Sequence, residues 1–329
     1  MRNKRAGLAL STAALYFGFA WMSDFIGDLT GRLVNGKVLL EVLIQCTRGV
    51  KLVQILLLLL LIAAAAWMNR QNAQRPAPEA WYAAGGFLCI SAIFGFFSVL
   101  IELASYLTQG GIASQAYMWT TAFSFLASPL AESLAKFLLF LLAWRVGFRA
   151  RRRKPQPDHA QAVPDGHART LAVESVILFY GFMLSLQCLN TAIMLSLSAT
   201  LRDNASNPFG WAYLGIQSAI IAGMAIWQNQ RRNRAVPSRH MQPMAYWIAG
   251  TVLAVSALRS IPGLIVSLQL LMPPASMNLE EPILRLQQLS FVLGCIAALV
   301  SAAGAAAAIS LGERKARRSD PSPLQTQEE

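Results

Sequence analysis

Charged residues are scarce in this sequence. Only 13% of its 329 residues are Asp, Glu, Lys or Arg, whereas 55% are hydrophobic, and the mean hydropathy is +0.44. Soluble globular proteins contain about a quarter charged residues on average. The composition therefore argues against a water-soluble fold for most of the chain.

Histidine and cysteine are rare as well. The three histidines lie in polar segments, at His159, His167 and His240. The four cysteines are scattered, at Cys46, Cys89, Cys188 and Cys295. These spacings favour neither a disulfide framework nor a metal site. Because no nucleophile lies near a candidate base and no glycine-rich loop follows a strand, we predict no catalytic residues, no cofactor and no enzymatic activity.

Long apolar runs take the place of the missing polar residues. Each run has about 17 residues or more, which is enough for a helix to cross a hydrocarbon layer of about 30 Å. Helices satisfy their own backbone hydrogen bonds in lipid. The sequence thus predicts an all-α membrane protein with about eight transmembrane helices, at residues 7–25, 51–68, 82–106, 118–146, 171–197, 210–228, 244–271 and 287–311.

Most of the 28 Lys and Arg residues fall on one side of these spans. They follow every second helix and also precede the first, as in the runs at 2–5, 145–154, 231–239 and 314–318. The positive-inside rule then predicts that both termini are cytoplasmic, in a multi-pass protein of the cytoplasmic (inner) membrane. The net charge of +12 is interpreted as contacts with anionic lipid headgroups rather than with nucleic acid.

The chain divides into two similar halves. Leu15-Tyr16-Phe17-Gly18-Phe19 resembles Leu178-Phe179-Tyr180-Gly181-Phe182, and a segment from Ala80 resembles one from Ala245. A repeat of four helices gives two copies in parallel orientation. We therefore predict a first four-helix half at 1–148, a cytoplasmic linker at 149–170, a second half at 171–312 and a polar tail at 313–329.

Two segments could make contacts outside the bundle. Residues 38–50 have an apolar and a polar side at helical spacing, which predicts an amphipathic extension of the second helix at the membrane interface. It is either a helical stem or a docking surface. In the last helix, small residues recur every four positions at Gly294, Ala298, Ala302 and Ala306, with Gly304 and Ala308 on an adjoining stripe. Such a surface favours close helix packing or homodimerisation.

Four ionisable residues within the spans are candidates for a polar site: Glu102, Glu132, Lys136 and Arg259. Charges are costly in hydrocarbon unless they are paired or face a wet cavity. Prolines accompany two of them, since Pro129 precedes Glu132 and Pro262 follows Arg259, and both prolines predict helix kinks. We expect Glu132 and Arg259 to form an ion pair, with Lys136 and Glu102 nearby. The pair either fastens the halves together or belongs to a binding site.

Three classes of function stay open. The first is a non-enzymatic subunit that binds a membrane-protein partner, such as an accessory or immunity protein, through residues 29–50 or 272–286. The second is a small transporter or channel with a polar site near the bilayer midplane. The third is an enzyme acting on lipid, for which the candidate residues are the acids Asp24, Asp28, Glu280 and Glu281.

Overall fold

The computed structural model describes residues 2–46, 49–71, 77–109, 115–152, 165–197, 208–235, 241–270 and 281–319. Within these ranges every regular element is an α-helix, in agreement with the predicted all-α class. The helices are α1 (Arg2–Val34), α2 (Leu39–Cys46), α3 (Val50–Gln71), α4 (Pro78–Gln109), α5 (Gln115–Arg152), α6 (Asp165–Leu197), α7 (Pro208–Ala235), α8 (Pro243–Leu270) and α9 (Glu281–Ser319).

All of these helices except α2 are long and apolar enough to cross a membrane, which confirms the eight predicted spans and the multi-pass architecture. The first span is longer than predicted, at Arg5–Val34 instead of 7–25. Acidic residues such as Asp24 and Asp28 resemble the wet end of a helix in the sequence. In the structure they stay within α1 because cations of other helices pair with them.

Local sequence explains where several helices begin. Proline begins α4, α7 and α8, at Pro78, Pro208 and Pro243. This position suits proline, because the first turn of a helix leaves its N–H groups without an intrahelical partner. The interior prolines Pro129 and Pro262 do not interrupt α5 or α8, which are continuous helices. The kinks at these two prolines stay a prediction.

The amphipathic segment is a separate helix, not an extension of the second span as predicted. Helix α2 lies between two glycines with positive φ, Gly36 at 75° and Gly49 at 59°. Left-handed backbone conformations of this kind end helices. At the end of α1 the Gly36 amide donates to the Leu33 carbonyl at 3.0 Å. Apolar side chains of α2 are exposed, Leu40 to 68%.

Helices pack in the same pattern within each half. In the first half α1 contacts α3, α4 and α5, and α4 packs against α5. In the second half α6 contacts α7, α8 and α9, and α8 packs against α9. Between the halves, α1 contacts α8 and α4 contacts α6, while α3 contacts α8 and α4 contacts α7. The duplication of the halves stays a prediction.

The predicted boundaries of the halves fall inside helices. Helix α5 continues to Arg152, and α6 already begins at Asp165, so both extend into the predicted linker at 149–170. Helix α9 likewise continues into the predicted tail, as far as Ser319. Residues 153–164 and 320–329 lie outside the described part of the chain.

The buried core lies where α1, α4, α6 and α8 meet. Its largest fully buried side chains include Phe87, Leu88, Leu171, Ile248 and Val252. Aromatic rings fill the centre, and the Phe87 ring lies 5.2 Å from that of Tyr16 and 5.3 Å from that of Phe179, measured between centroids. The two halves therefore share one core.

Small residues bring α9 close to the bundle along part of the predicted surface, since Gly294 lies against Leu264 of α8, Gly304 against Phe182 of α6 and Ala308 beside Gly250 of α8. Ala302 and Ala306 are exposed, whereas Ala305 is 3% exposed and packs beside Gly250. A Cβ atom at Gly250 would lie 3.0 Å from the Ala305 carbonyl oxygen. The contact with the bundle therefore uses the predicted adjoining stripe of Gly304 and Ala308, whereas Ala302 and Ala306 point away from it.

Candidate functional site

Four charged side chains meet in the interior of the bundle. Arg259 of α8 donates through Nη2 to Oδ2 of Asp24 on α1 at 2.5 Å. The other Asp24 oxygen, Oδ1, lies 3.9 Å from Nζ of Lys136 on α5. Lys136 also pairs with Glu132, one turn earlier on α5. The result is a continuous chain of two cations and two carboxylates that joins three helices.

The cluster lies near the middle of the membrane-spanning helices. Counted at about 1.5 Å per residue, Asp24, Glu132, Lys136 and Arg259 all lie within about 8 Å of the middle of their spans. The Lys136 side chain is only 14% exposed, and that of Asp24 is 22% exposed. Interactions between such charges are stronger than at a water-exposed surface because the surroundings have a low dielectric constant.

The predicted pairing of Glu132 with Arg259 is not the one observed, because Arg259 pairs with Asp24 and Glu132 pairs with Lys136. Asp24 was expected only among the candidate acids of a lipid-acting enzyme, and the sequence did not indicate its place in the cluster. Glu102 lies apart from the cluster. Its carboxylate accepts a weak hydrogen bond from Ser98, one turn earlier on α4, at 3.5 Å.

Close packing of α1 on α5 holds these charges together. A Cβ atom at Gly27 would lie 2.9 Å from the Glu132 Cβ atom and 3.0 Å from the Ser128 carbonyl oxygen. A Cβ atom at Gly31 would lie 2.8 Å from the Ser128 Cβ atom. Glycines four residues apart allow helix backbones to approach closely. Gly27 and Gly31 thus let α5 come near enough for Lys136 to reach Asp24.

A partly open cavity of about 490 Å³ lies beside the charged cluster, between the two halves. Arg259 belongs to both, since it lines the cavity and binds Asp24. The volume falls in the range of about 300–1,000 Å³ that is typical of small-molecule sites. Aromatic and aliphatic side chains form most of the wall: Tyr16, Phe17, Phe94, Phe179, Tyr180, Met183 and Leu184.

Polar groups are spaced around this apolar wall. The first half supplies Ser91 from α4 and Gln54 from α3. The second half supplies two serines and two glutamines, Ser256 and Ser260 from α8, Gln187 from α6 and Gln217 from α7. Gln217 is 7% exposed, and its Oε1 atom has no hydrogen-bond partner in the structure. An unpaired carbonyl oxygen in an apolar setting costs about 1–3 kcal/mol. A ligand donor in the cavity would remove this cost once the amide turned toward it, because the Oε1 atom itself is fully buried.

Hydrogen bonding fixes the aromatic wall. The Tyr180 hydroxyl donates to the Phe87 carbonyl at 3.1 Å, which joins α6 of the second half to α4 of the first. The Tyr180 ring also contacts Phe94 edge to face at a centroid distance of 5.3 Å. Edge-to-face packing of this kind is favourable for aromatic pairs. The wall is therefore held in one arrangement by contacts between the halves.

A second buried polar cluster lies near the other end of the bundle. Glu174 of α6 is 2% exposed, and its Oε2 accepts the Gln242 backbone N–H at 2.8 Å, next to the first residue of α8. The side-chain nitrogen of Gln242, Nε2, lies 3.3 Å from Nδ1 of His167. A carboxylate at the start of a helix also interacts favourably with the helix dipole. Glu174 was not among the predicted residues, because it lies within one turn of the predicted start of its span.

The described ranges offer no set of ligands for a metal site. No group of three or more His, Cys, Asp and Glu side chains there could hold a metal ion. Comparison with known proteins adds no assignment, since no family model matches the chain and no curated protein or solved structure is significantly similar to it. The cavity and the charged cluster are therefore the features from which a function can be inferred.

Proposed function

We propose that this protein binds a small molecule in the cavity between its two halves and moves it across or within the membrane, as a transporter does. The observation that carries the proposal is the position of Arg259, which is the charged residue lining a mostly apolar cavity inside the membrane-spanning region. Ionisable side chains in such positions are costly and commonly mark substrate or ion pathways.

The arrangement of helices supports the same function. The cavity is lined by α1, α3 and α4 of one half and by α6, α7 and α8 of the other. Membrane transporters commonly bind their substrates at the interface of two structural repeats, near the middle of the bilayer, and alternate access by rocking one repeat against the other. A cavity between two four-helix halves fits that mechanism.

The first test is to identify what the protein retains during purification. We expect native mass spectrometry of the protein in lipid nanodiscs to find a bound small molecule. Its occupancy should fall in Arg259→Gln and Gln217→Leu, because both side chains line the cavity. Arg145→Gln on the exposed side of α5 is the matched control and should leave occupancy unchanged. Equal retention in all four proteins would place the ligand elsewhere and refute the proposal.

A partner-binding subunit is the second candidate. It is supported by α3, whose span is only 6% buried within the chain, and by the exposed apolar side chains of α2, among them Leu39 and Leu40. We expect photo-crosslinking groups placed at Leu40 and Leu56 to capture one membrane protein in the native host if this candidate is correct. Crosslinks to lipid alone at both positions would reject it.

Two of the four acids that suggested a lipid-acting enzyme, Asp24 and Asp28, do not favour that function. Asp24 is bound by Arg259, and Asp28 pairs with Lys51 at 2.7 Å, so cations neutralise both carboxylates. Glu280 lies outside the described residues. We therefore keep the protein as a non-enzymatic binder in this proposal.

A further inference from the structure

We propose that the cavity selects a small carboxylate with an aromatic or branched aliphatic body and one hydrogen-bond donor, and that Asp24 competes with this carboxylate for Arg259. The inference rests on the proposed function, because it assigns a ligand class to the same cavity. Three features of the cavity carry it, and each corresponds to one part of the ligand.

The first feature is the spare bonding capacity of Arg259. A guanidinium has five N–H donors and no acceptor. The hydrogen bond described for Arg259 uses Nη2 and the Asp24 carboxylate. Since the same side chain lines the cavity, further N–H groups are available to a ligand there. Two parallel guanidinium N–H groups match the two oxygens of a carboxylate, and a singly charged carboxylate costs less to bury in a mostly apolar cavity than a doubly charged phosphate does.

The second feature is the arrangement of charge around Arg259. The charges of the cluster alternate in sign along the order Arg259, Asp24, Lys136 and Glu132. When a ligand carboxylate takes over part of the guanidinium, Asp24 still has Lys136 at 3.9 Å. Arg259 can therefore turn toward the cavity without leaving Asp24 as an isolated charge. A cation in the cavity would instead be repelled by the nearby guanidinium.

The third feature is the chemistry of the wall. The side chains of Phe17, Phe94, Phe179 and Leu184 make most of the cavity apolar, which favours an aromatic or branched body on the ligand. Gln217 lines the cavity, and a turn of its side-chain amide would bring the buried Oε1 atom, which has no partner, to a ligand there. An acceptor without a donor discriminates for ligands that carry an N–H or O–H group, because a ligand without one leaves the desolvated oxygen unpaired. The ligand class thus combines a carboxylate, a donor and an apolar body.

Three probe molecules separate these parts. 3-Phenyllactate has all three, 3-phenyllactamide replaces the carboxylate with a neutral amide, and 3-phenylpropanoate lacks the hydroxyl donor. We expect wild-type protein in nanodiscs to bind 3-phenyllactate at least about tenfold more tightly than the amide, and about fivefold more tightly than 3-phenylpropanoate. Isothermal titration calorimetry measures each Kd at fixed pH and salt.

Variants assign each preference to a side chain. Arg259→Gln should abolish the preference for 3-phenyllactate over the amide, and Gln217→Leu should abolish the preference for the hydroxyl. Asp24→Asn should bind 3-phenyllactate more tightly by about tenfold, because the competitor for Arg259 has lost its charge. Asp28→Asn is the matched control, one turn away on the same helix and paired with Lys51, and its Kd should stay within about twofold of wild type.

The wild-type comparison does not depend on any variant folding. Equal affinities for the acid and the amide, or no binding of any of the three probes, would overturn the inferred ligand class. A weaker or unchanged Kd in a folded Asp24→Asn protein would overturn the competition. The proposed function fails on a different result, namely retention of the co-purified molecule that is insensitive to Arg259→Gln and Gln217→Leu. The two failures can therefore be told apart.

Discussion

Lys136 is the most buried cation of the charged cluster, and it lies between two carboxylates. Its side chain contacts Glu132 and approaches Asp24 at 3.9 Å. Buried ion pairs contribute little net stability compared with an apolar replacement of the whole set, but loss of one member leaves an uncompensated charge. The cluster should therefore be sensitive to single substitutions and less sensitive to substitutions that preserve neutrality.

Lys136→Met tests how sensitive the charged cluster is to a single substitution. We expect the substitution to lower the free energy of unfolding by about 3 kcal/mol, because Glu132 would lose the cation it pairs with and Asp24 would keep Arg259 alone. Thermal unfolding in nanodiscs measures the change. Lys51→Met is the control, since Lys51 and Asp28 are each about one-third exposed, at 35% and 36%, and such pairs contribute about 1 kcal/mol or less. Equal losses in the two variants would contradict the buried-cluster interpretation.

Single residues also show where prediction from sequence stops. Ionisable groups inside apolar runs are visible directly, which is why Glu132, Lys136 and Arg259 could be singled out. Their pairing depends on how each helix is rotated, and the composition of one span does not encode that rotation. Asp24 was missed because its spacing from Asp28 resembles a helix end that leaves the membrane. Gln217 gave no signal, since a lone amide in an apolar run carries no charge.

At the scale of helices, contacts between small residues determine which faces meet. Gly27 and Gly31 lie against Ser128 of α5, whereas a Cβ atom at Gly223 of α7 would have no neighbour within 4 Å. Dispersion contacts and close backbone approach drive association in lipid, where apolar side chains gain little by leaving the hydrocarbon. The length and apolarity of a span can be predicted from the sequence of that span alone, but the face that contacts other helices cannot. For this reason the eight spans were predicted correctly, whereas only part of the predicted small-residue surface of α9 makes close helix contacts.

Gly27→Ala is the helix-scale prediction. The new methyl group would lie 2.9 Å from the Glu132 Cβ atom and 3.0 Å from the Ser128 carbonyl oxygen, so α1 and α5 must separate. We expect destabilisation of about 1–3 kcal/mol, as for overpacked interiors. The control is Gly223→Ala, which should be neutral or stabilising by up to about 1 kcal/mol because alanine favours helix. Thermal unfolding in the same lipid measures the stability of both variants. Similar stability of the two would show that α1 and α5 are not in tight contact.

At the scale of the whole molecule, several helices of each half contact the other half, although the contacts within each half are more extensive. Helix α1 reaches α8, and α4 reaches α6, around a shared core of buried aromatic side chains. Each half has four spans, so each starts and ends on the same side of the membrane. These features imply that each half can insert independently and that the halves then associate through the surface that lines the cavity.

A split protein tests that implication. We expect residues 1–157 and 158–329, expressed together as two chains, to co-purify in the membrane fraction. Association should be lost in Gly86→Leu, because even a Cβ atom at Gly86 of α4 would lie 3.2 Å from Cγ2 of Val176 on α6, across the interface. Gly181→Leu on α6 is the matched control, since nothing lies within 4 Å of its Cβ position, and it should leave co-purification intact. If wild-type halves were stable but failed to associate, the covalent connection rather than the shared core would hold the protein together. Association that survived Gly86→Leu would show that α4 and α6 do not form the essential contact, and a cavity between the halves would then lose its structural basis.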